Sequence, residues 1–90
     1  MARIFFTSHL RRLAPEPVDA PGATVADALS AALADREQLR GYVLDEQGRL
    51  RKHVTIFADG EHLPHDAALD SPIHPDTELY VMQALSGGLE

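Results

Sequence analysis

Hydrophobic residues are grouped along this chain in patches with distinct periods. The stretch "ARIFFTS" (Ala2 to Ser8) is apolar and carries two β-forming phenylalanines, so it predicts a strand. "HLRRLAPEP" follows, and Pro15 and Pro17 exclude a long helix there, leaving a turn or one helical turn. Glu16 to Gly22 is short and bounded by prolines, which suits an edge strand pairing back on the first. From Val25 the period changes. Val25, Leu29, Ala32 and Leu33 fall on one helical face, and Asp27, Ser30 and Asp35 fall off it. Thr24 is placed to cap this segment, with Asp27 three residues later in a weak capping-box pattern. The spacing predicts an amphipathic helix over roughly Val25 to Arg36.

The second half reads mainly as strand. "GYVLDEQGRLRKHVTIFADGEHL" contains a turn signal at Gln47-Gly48 and a two-residue hairpin signal at Asp59-Gly60. Within "KHVTIFA", Val54 and Ile56 face one way and Thr55 and Phe57 the other. "PHDAALDSPIHPDT" is rich in turn residues, with Ala67, Leu69 and Ile73 as expected core plugs. "ELYVMQAL" closes the pattern, with Leu79 and Val81 on one side and Tyr80 and Met82 on the other. The order strand, strand, helix, strand, short strand, strand predicts a two-layer α+β domain. The compact solution is a ubiquitin-like β-grasp, with a mixed sheet of four or five strands and one main helix on one face. The first and last strands would lie side by side at its centre.

Ninety residues allow one modest core, and 13 of them are alanine, so large side chains must be concentrated in a few elements. The absence of cysteine excludes a disulfide, a thiolate zinc site and a cysteine nucleophile within the chain. A formal charge of -6 makes nucleic acid and anionic membrane poor partners. No apolar run approaches the ~20 residues that span a bilayer, and the N-terminus does not fit a signal peptide. A cytoplasmic location is expected. One domain is expected over residues 1–88, ending in a flexible Ser86-Gly87-Gly88 tail, with Leu89-Glu90 read as an expression-tag scar or, failing that, as native residues to be removed.

Two adjacent glycines directly after the last strand are unusual in a folded domain. "RIFFTSHLRRL" near the start and "DTELYVMQALSGG" at the end resemble the MoaD/ThiS-type sulfur-carrier family, and "LRKHVTIFADGE" is similar to a subgroup serving amino-acid and siderophore-type biosynthesis. The resemblance covers nearly all of residues 2 to 88. It implies that a ubiquitin-activating-type adenylyltransferase uses ATP to adenylate the Gly88 carboxylate. Sulfur from a sulfurtransferase or persulfide donor then replaces AMP. The resulting thiocarboxylate serves a biosynthetic acceptor in a molybdopterin, thiamine, cysteine or related pathway. Ser86 and Gly87 form the thread behind Gly88, and a tail-processing peptidase is implied if Leu89-Glu90 are native. The chain departs from the family at Gln83 and Ala84, where proline is frequent, and at Thr7, where a larger apolar residue is frequent.

The chemistry suits glycine. An acyl carbon must reach an ATP phosphate through a narrow channel, and a residue without Cβ passes where others cannot. Tyr80, Met82 and Leu85 are the expected partner interface, because an aromatic and an adaptable methionine beside the tail fit a carrier that meets several enzymes. An ordinary half-buried sheet face is the competing account of Tyr80 and Met82. "RLRK" (Arg49 to Lys52) is either a docking patch for an acidic partner or a solvated strand end. His62, His65 and His74 show no ligand spacing, so no metal is expected. No serine, histidine and aspartate form a nucleophile motif, so the chain reads as a protein cosubstrate with no bound cofactor. A lysine-linked protein modifier and a non-activated interaction module remain alternatives.

Overall fold

The computed structural model describes residues 1–83. Strand β1 (Ala2–Phe6) leads into a short 3-10 helix (Ser8–Arg12), where the prolines forbid anything longer, and then into strand β2 (Val18–Ala20). Helix α1 (Val25–Leu33) starts at the expected cap: the Asp27 backbone N–H donates to the Thr24 hydroxyl at 3.2 Å. It ends earlier than the spacing predicts. Arg36 leaves helical geometry, and its guanidinium returns to donate to the Ala32 carbonyl at 2.9 Å, satisfying an acceptor that the helix end leaves open.

The next element corrects the sequence reading. Glu37–Val43 is a second helix, α2, where the segment from Gly41 onward reads as strand. Leu39 and Val43 are the signal: four residues apart, both are fully buried on one face, and Glu37 and Arg40 sit at the ends that suit their charges. Gly41 and the β-prone pair Tyr42-Val43 mask this pattern. Beyond α2 the Gln47-Gly48 turn is present, closed by an isolated bridge between Leu44 and Leu50. Asp45 organises it by accepting from the backbone N–H groups of Gln47 and Arg49, both at 2.9 Å.

Strands β3 (Val54–Ala58) and β4 (Glu61–Leu63) form the expected hairpin, with Asp59 and Gly60 both at positive φ. The connection to strand β5 (Glu78–Gln83) returns under α1, where the Val25 and Ala26 N–H groups donate to the Ser71 and Leu69 carbonyls. In this segment Ala68, not Ala67, fills the core; Ala67 is exposed, Leu69 packs against the cluster from its edge, and Ile73 is buried as expected. The sheet order is β2-β1-β5-β3-β4, with β5 parallel to β1 and antiparallel to β3. Ile4, Phe6, Val54, Ile56, Leu79 and Val81 present one sheet face to Val25, Ala28, Leu29, Ala32 and Leu33 of α1. Burying each of the larger side chains contributes about 1.5–3 kcal/mol. The fold is the predicted β-grasp, with five strands and a short second helix.

Two glycines test this packing in opposite directions. Gly22 has φ +152°, and a Cβ there would sit 2.7 Å from the Ala28 backbone nitrogen, so Gly22→Ala is expected to destabilise by about 1–3 kcal/mol. Gly41 lies within α2 with nothing within 4 Å of an added Cβ, so Gly41→Ala is expected to stabilise by about 0.5–1 kcal/mol. Urea denaturation of the two variants checks both signs.

The Asp45 turn predicts a pH dependence. The backbone N–H of Arg49, together with that of Gln47 and the nearby Arg49 and Arg51 charges, holds the Asp45 carboxyl below its ordinary 3.8. A carboxyl whose folded pKa is depressed stabilises the fold fully above 3.8 and loses that contribution as pH falls through the folded value. Asp45→Asn should therefore show a shallower loss of melting temperature than the parent when melts are compared from pH 5 downward.

Candidate functional site

Alternation along β5 divides its side chains by face. Leu79 and Val81 are fully buried toward α1, while Tyr80 and Met82 point to the opposite face and are half-buried. This is the placement expected for both, and register adds neighbours that the linear sequence conceals. Tyr80 lies beside Phe5 of β1 and Phe57 of β3, and Phe57 lies beside His62 of β4. The Phe5 and Tyr80 rings stack with centroids 4.7 Å apart and planes 9° from parallel. Phe57 meets the His62 ring edge-on at 5.3 Å. Four rings thus form a row across four strands, with Thr55 and Met82 paired in the adjoining row toward the end of β5.

Sequence reasoning alone does not single out Phe5, Phe57 or His62 as site residues. The signal that finds them is register, which brings together positions 5, 57, 62 and 80 only once the strand order is known. An apolar row flanked by polar positions, on rigid central strands, is a surface on which another protein can seat with little rearrangement.

Gln83 ends β5. It pairs with Val54 at the start of β3, and its side-chain amide donates to the Tyr42 carbonyl at the end of α2 at 3.5 Å. On the other side, the Thr7 N–H donates to the Val81 carbonyl at 3.0 Å and its hydroxyl approaches the same oxygen at 3.4 Å. Thr7 therefore ties the end of β1 to β5. Leu85, Ser86, Gly87 and Gly88 lie outside the described residues.

Of the basic run at 49–52, Arg49 pairs with Asp45 at 3.7 Å and the Arg51 Nε donates to the Gly41 carbonyl at 2.7 Å. Both hold the turn to α2. Lys52 is exposed. His65 makes a 2.9 Å hydrogen bond with the Arg51 carbonyl, and among the described residues no group of three or more histidines and carboxylates is placed to hold a metal ion. Also among the described residues, no helix is long and apolar enough to cross a membrane.

The aromatic row makes a quantitative prediction. A double-mutant cycle on Phe5→Ala and Tyr80→Ala, read by urea denaturation, should give a coupling of about 0.5–1.5 kcal/mol from the stacked pair. A coupling near zero would mean that the two rings contribute independently.

Comparison with known proteins places this geometry. The family model described as "ThiS family" matches residues 4–88. No curated protein matches the chain in sequence. Among solved structures, the chain is similar to SAMP1 from Haloferax volcanii, with 27% identity, a TM-score of 0.78, and coverage of 97% of this chain and 98% of that one. It is also similar to Mycobacterium tuberculosis CysO, at 19% identity and TM-score 0.78, covering 94% of this chain and 100% of that one. A chain of the Amycolatopsis orientalis BexX/CysO complex matches at 18% identity and TM-score 0.81, covering 98% of this chain and 100% of that one. With the family match running along almost the whole chain and the β-grasp core in place, the chain belongs to the ThiS family and is a ubiquitin-like sulfur carrier or modifier.

Proposed function

We propose that this protein is a sulfur carrier whose Gly88 carboxylate is adenylated and converted to a thiocarboxylate. One observation carries the reading: the strand leading to the diglycine, β5, is the central strand, hydrogen-bonded to β1 and β3. A partner that grips the sheet therefore fixes where the tail begins. The match to the ThiS family, which extends through Gly88, supports the same assignment.

The chemistry follows from the properties of a carboxylate, which is a poor electrophile. A Gly88 oxygen attacks the ATP α-phosphorus, pyrophosphate leaves, and an acyl adenylate forms. A hydrosulfide equivalent then attacks the acyl carbon and AMP departs, leaving the thiocarboxylate. The partner adenylyltransferase supplies the ATP site, and sulfide delivers sulfur directly. Where a persulfide is the donor, its attack leaves an acyl disulfide that a donor thiol then reduces to the thiocarboxylate, forming a disulfide. An acceptor enzyme receives the sulfur. The described residues supply none of these catalytic groups; their part is to present the tail. Ordering each tail residue costs about 1–2 kcal/mol, and docking of Tyr80, Met82 and the neighbouring rings offsets that cost. Leu85, at the tail's root, extends this interface in the same proposal. The reaction needs a free Gly88 carboxylate, so Leu89 and Glu90 must be absent, by a natural end at Gly88 or by a peptidase.

The test uses protein ending at Gly88, incubated with a ubiquitin-activating-type enzyme, ATP and a sulfide donor. Intact mass should show one oxygen exchanged for sulfur, and lysine-linked adducts on other proteins in its place would favour the modifier. Deleting Gly88 should abolish the exchange and leave the melting temperature unchanged. A large stability loss on that deletion would contradict a tail that works outside the core.

A further inference from the structure

We infer that the tail-exit end of this acidic protein docks on a protein surface rich in aspartate and glutamate, through Arg11, Arg12, Lys52 and Tyr42. The inference deepens the carrier reading and rests on it, because it describes the partner surface around the channel that receives the tail.

Strand directions bring these residues to one end of the molecule. β5 runs from Glu78 to Gln83, so its two ends are opposite poles of the sheet. At the Gln83 pole, parallel β1 hands over to the 3-10 helix that bears Arg11 and Arg12, and antiparallel β3 is entered from Lys52 and His53. The exit of β5 is thus flanked by positive charge on both sides. Arg11, Arg12 and Lys52 are exposed, and none has a hydrogen-bond or ion-pair partner among the described residues. Asp45 and Glu46 lie on the α2 side of this pole, and Asp45 is already engaged by Arg49 and two backbone amides. At the Glu78 pole the exposed charges are mainly acidic: Asp59, Glu61, Asp76 and Glu78, with Arg3 paired to Asp19.

Tyr42 supplies the apolar part. It is 43% exposed, the one large aromatic left so open among the described residues, and its carbonyl accepts from Gln83 at the tail root. Tyrosine and arginine are the residue types enriched among those that carry binding energy at protein interfaces. A chain of net charge -6 that gathers exposed cations at one pole will orient that pole first toward an acidic surface. The same net charge disfavours a polyphosphate backbone, which would meet the acidic remainder of the molecule.

Two measurements test this. The first is chain-dependent ATP–pyrophosphate exchange by the enzyme that thiocarboxylates the parent. In the triple variant R11E/R12E/K52E, the KM for the chain should rise at least tenfold with kcat unchanged, and the parent's KM, but not the variant's, should rise with added NaCl. Asp76→Lys, at the far pole, should leave KM within twofold. An equal effect from Asp76→Lys, or no KM change in the triple variant, overturns the inference. The second needs no activation, so it separates this inference from failure of the carrier reading. Titration of 15N-labelled full chain with a deca-glutamate peptide at low salt should shift the amides of Arg11, Arg12, Tyr42 and Lys52 and spare those of Glu61 and Asp76. Absent or evenly spread shifts overturn it, as does tighter binding to a 12-base-pair DNA duplex or to phosphatidylserine vesicles than to the peptide.

Discussion

The parallel pairing of β1 with β5 is the constraint on which the rest of this structure depends. It joins residues more than seventy positions apart in register, Phe5 against Tyr80 and Phe6 against Val81. Parallel strands cannot be joined by a tight turn, so the intervening chain must cross over, and α1 supplies that crossover on one face. The same pairing leaves the last strand with a neighbour on each side, because β3 takes its other edge. At the entrance to β5, the Arg3 N–H donates to the Thr77 carbonyl, while the Thr77 hydroxyl is buried and accepts from the His74 N–H. A strand fixed at its entry and along both edges sends the tail off from a defined point. The end of β5 therefore inherits its position from contacts formed by the first strand.

The two sheet faces divide the work. One is sealed by α1, α2 and the 3-10 helix, with Leu10, Leu39 and Val43 completing a cluster that needs no large aromatic beyond Phe6. The many alanines matter here: Ala28 and Ala32 let α1 approach the sheet closely. This leaves the remaining aromatic side chains to other duties. Phe5, Phe57 and Tyr80 go to the opposite face in one row, and Tyr42 goes to the tail-exit pole. The core thus draws its stability from residues other than those exposed on the open face.

Much of this fold is legible in the residues because local and global preferences agree. Thr24 before an i, i+4 apolar stripe, Asp59-Gly60 between alternating segments, and Pro17 beside a short strand each have one physical reading, and each is realised. The alternation in "ELYVM" is enough by itself to assign Tyr80 and Met82 to their face. Where sequence reasoning fails, preferences conflict. In α2 the buried pair Leu39 and Val43 overrides a glycine and two β-prone residues, so tertiary packing, not propensity, decides the state. Ala67 and Ala68 differ by one position in a turn-rich segment with no period to separate them. The aromatic row is legible only in part: alternation assigns each ring a face, but which rings become neighbours depends on strand order and register.

Thr7 and Gln83 acquire a physical meaning from the same constraint. A proline at position 83 would have no N–H and no side-chain amide to reach the Tyr42 carbonyl; glutamine carries both. A larger apolar residue at position 7 would lose the hydroxyl that faces the Val81 carbonyl. Both side chains place hydrogen bonds at the end of β5. The strand's last residues are thus held by polar contacts from Thr7 and to α2, beside their register with β3. Exposed Tyr42 supplies an apolar surface at the same pole as the exposed cations Arg11, Arg12 and Lys52. The polarity of the exit, not only the glycines beyond it, then sets which surfaces the chain can approach.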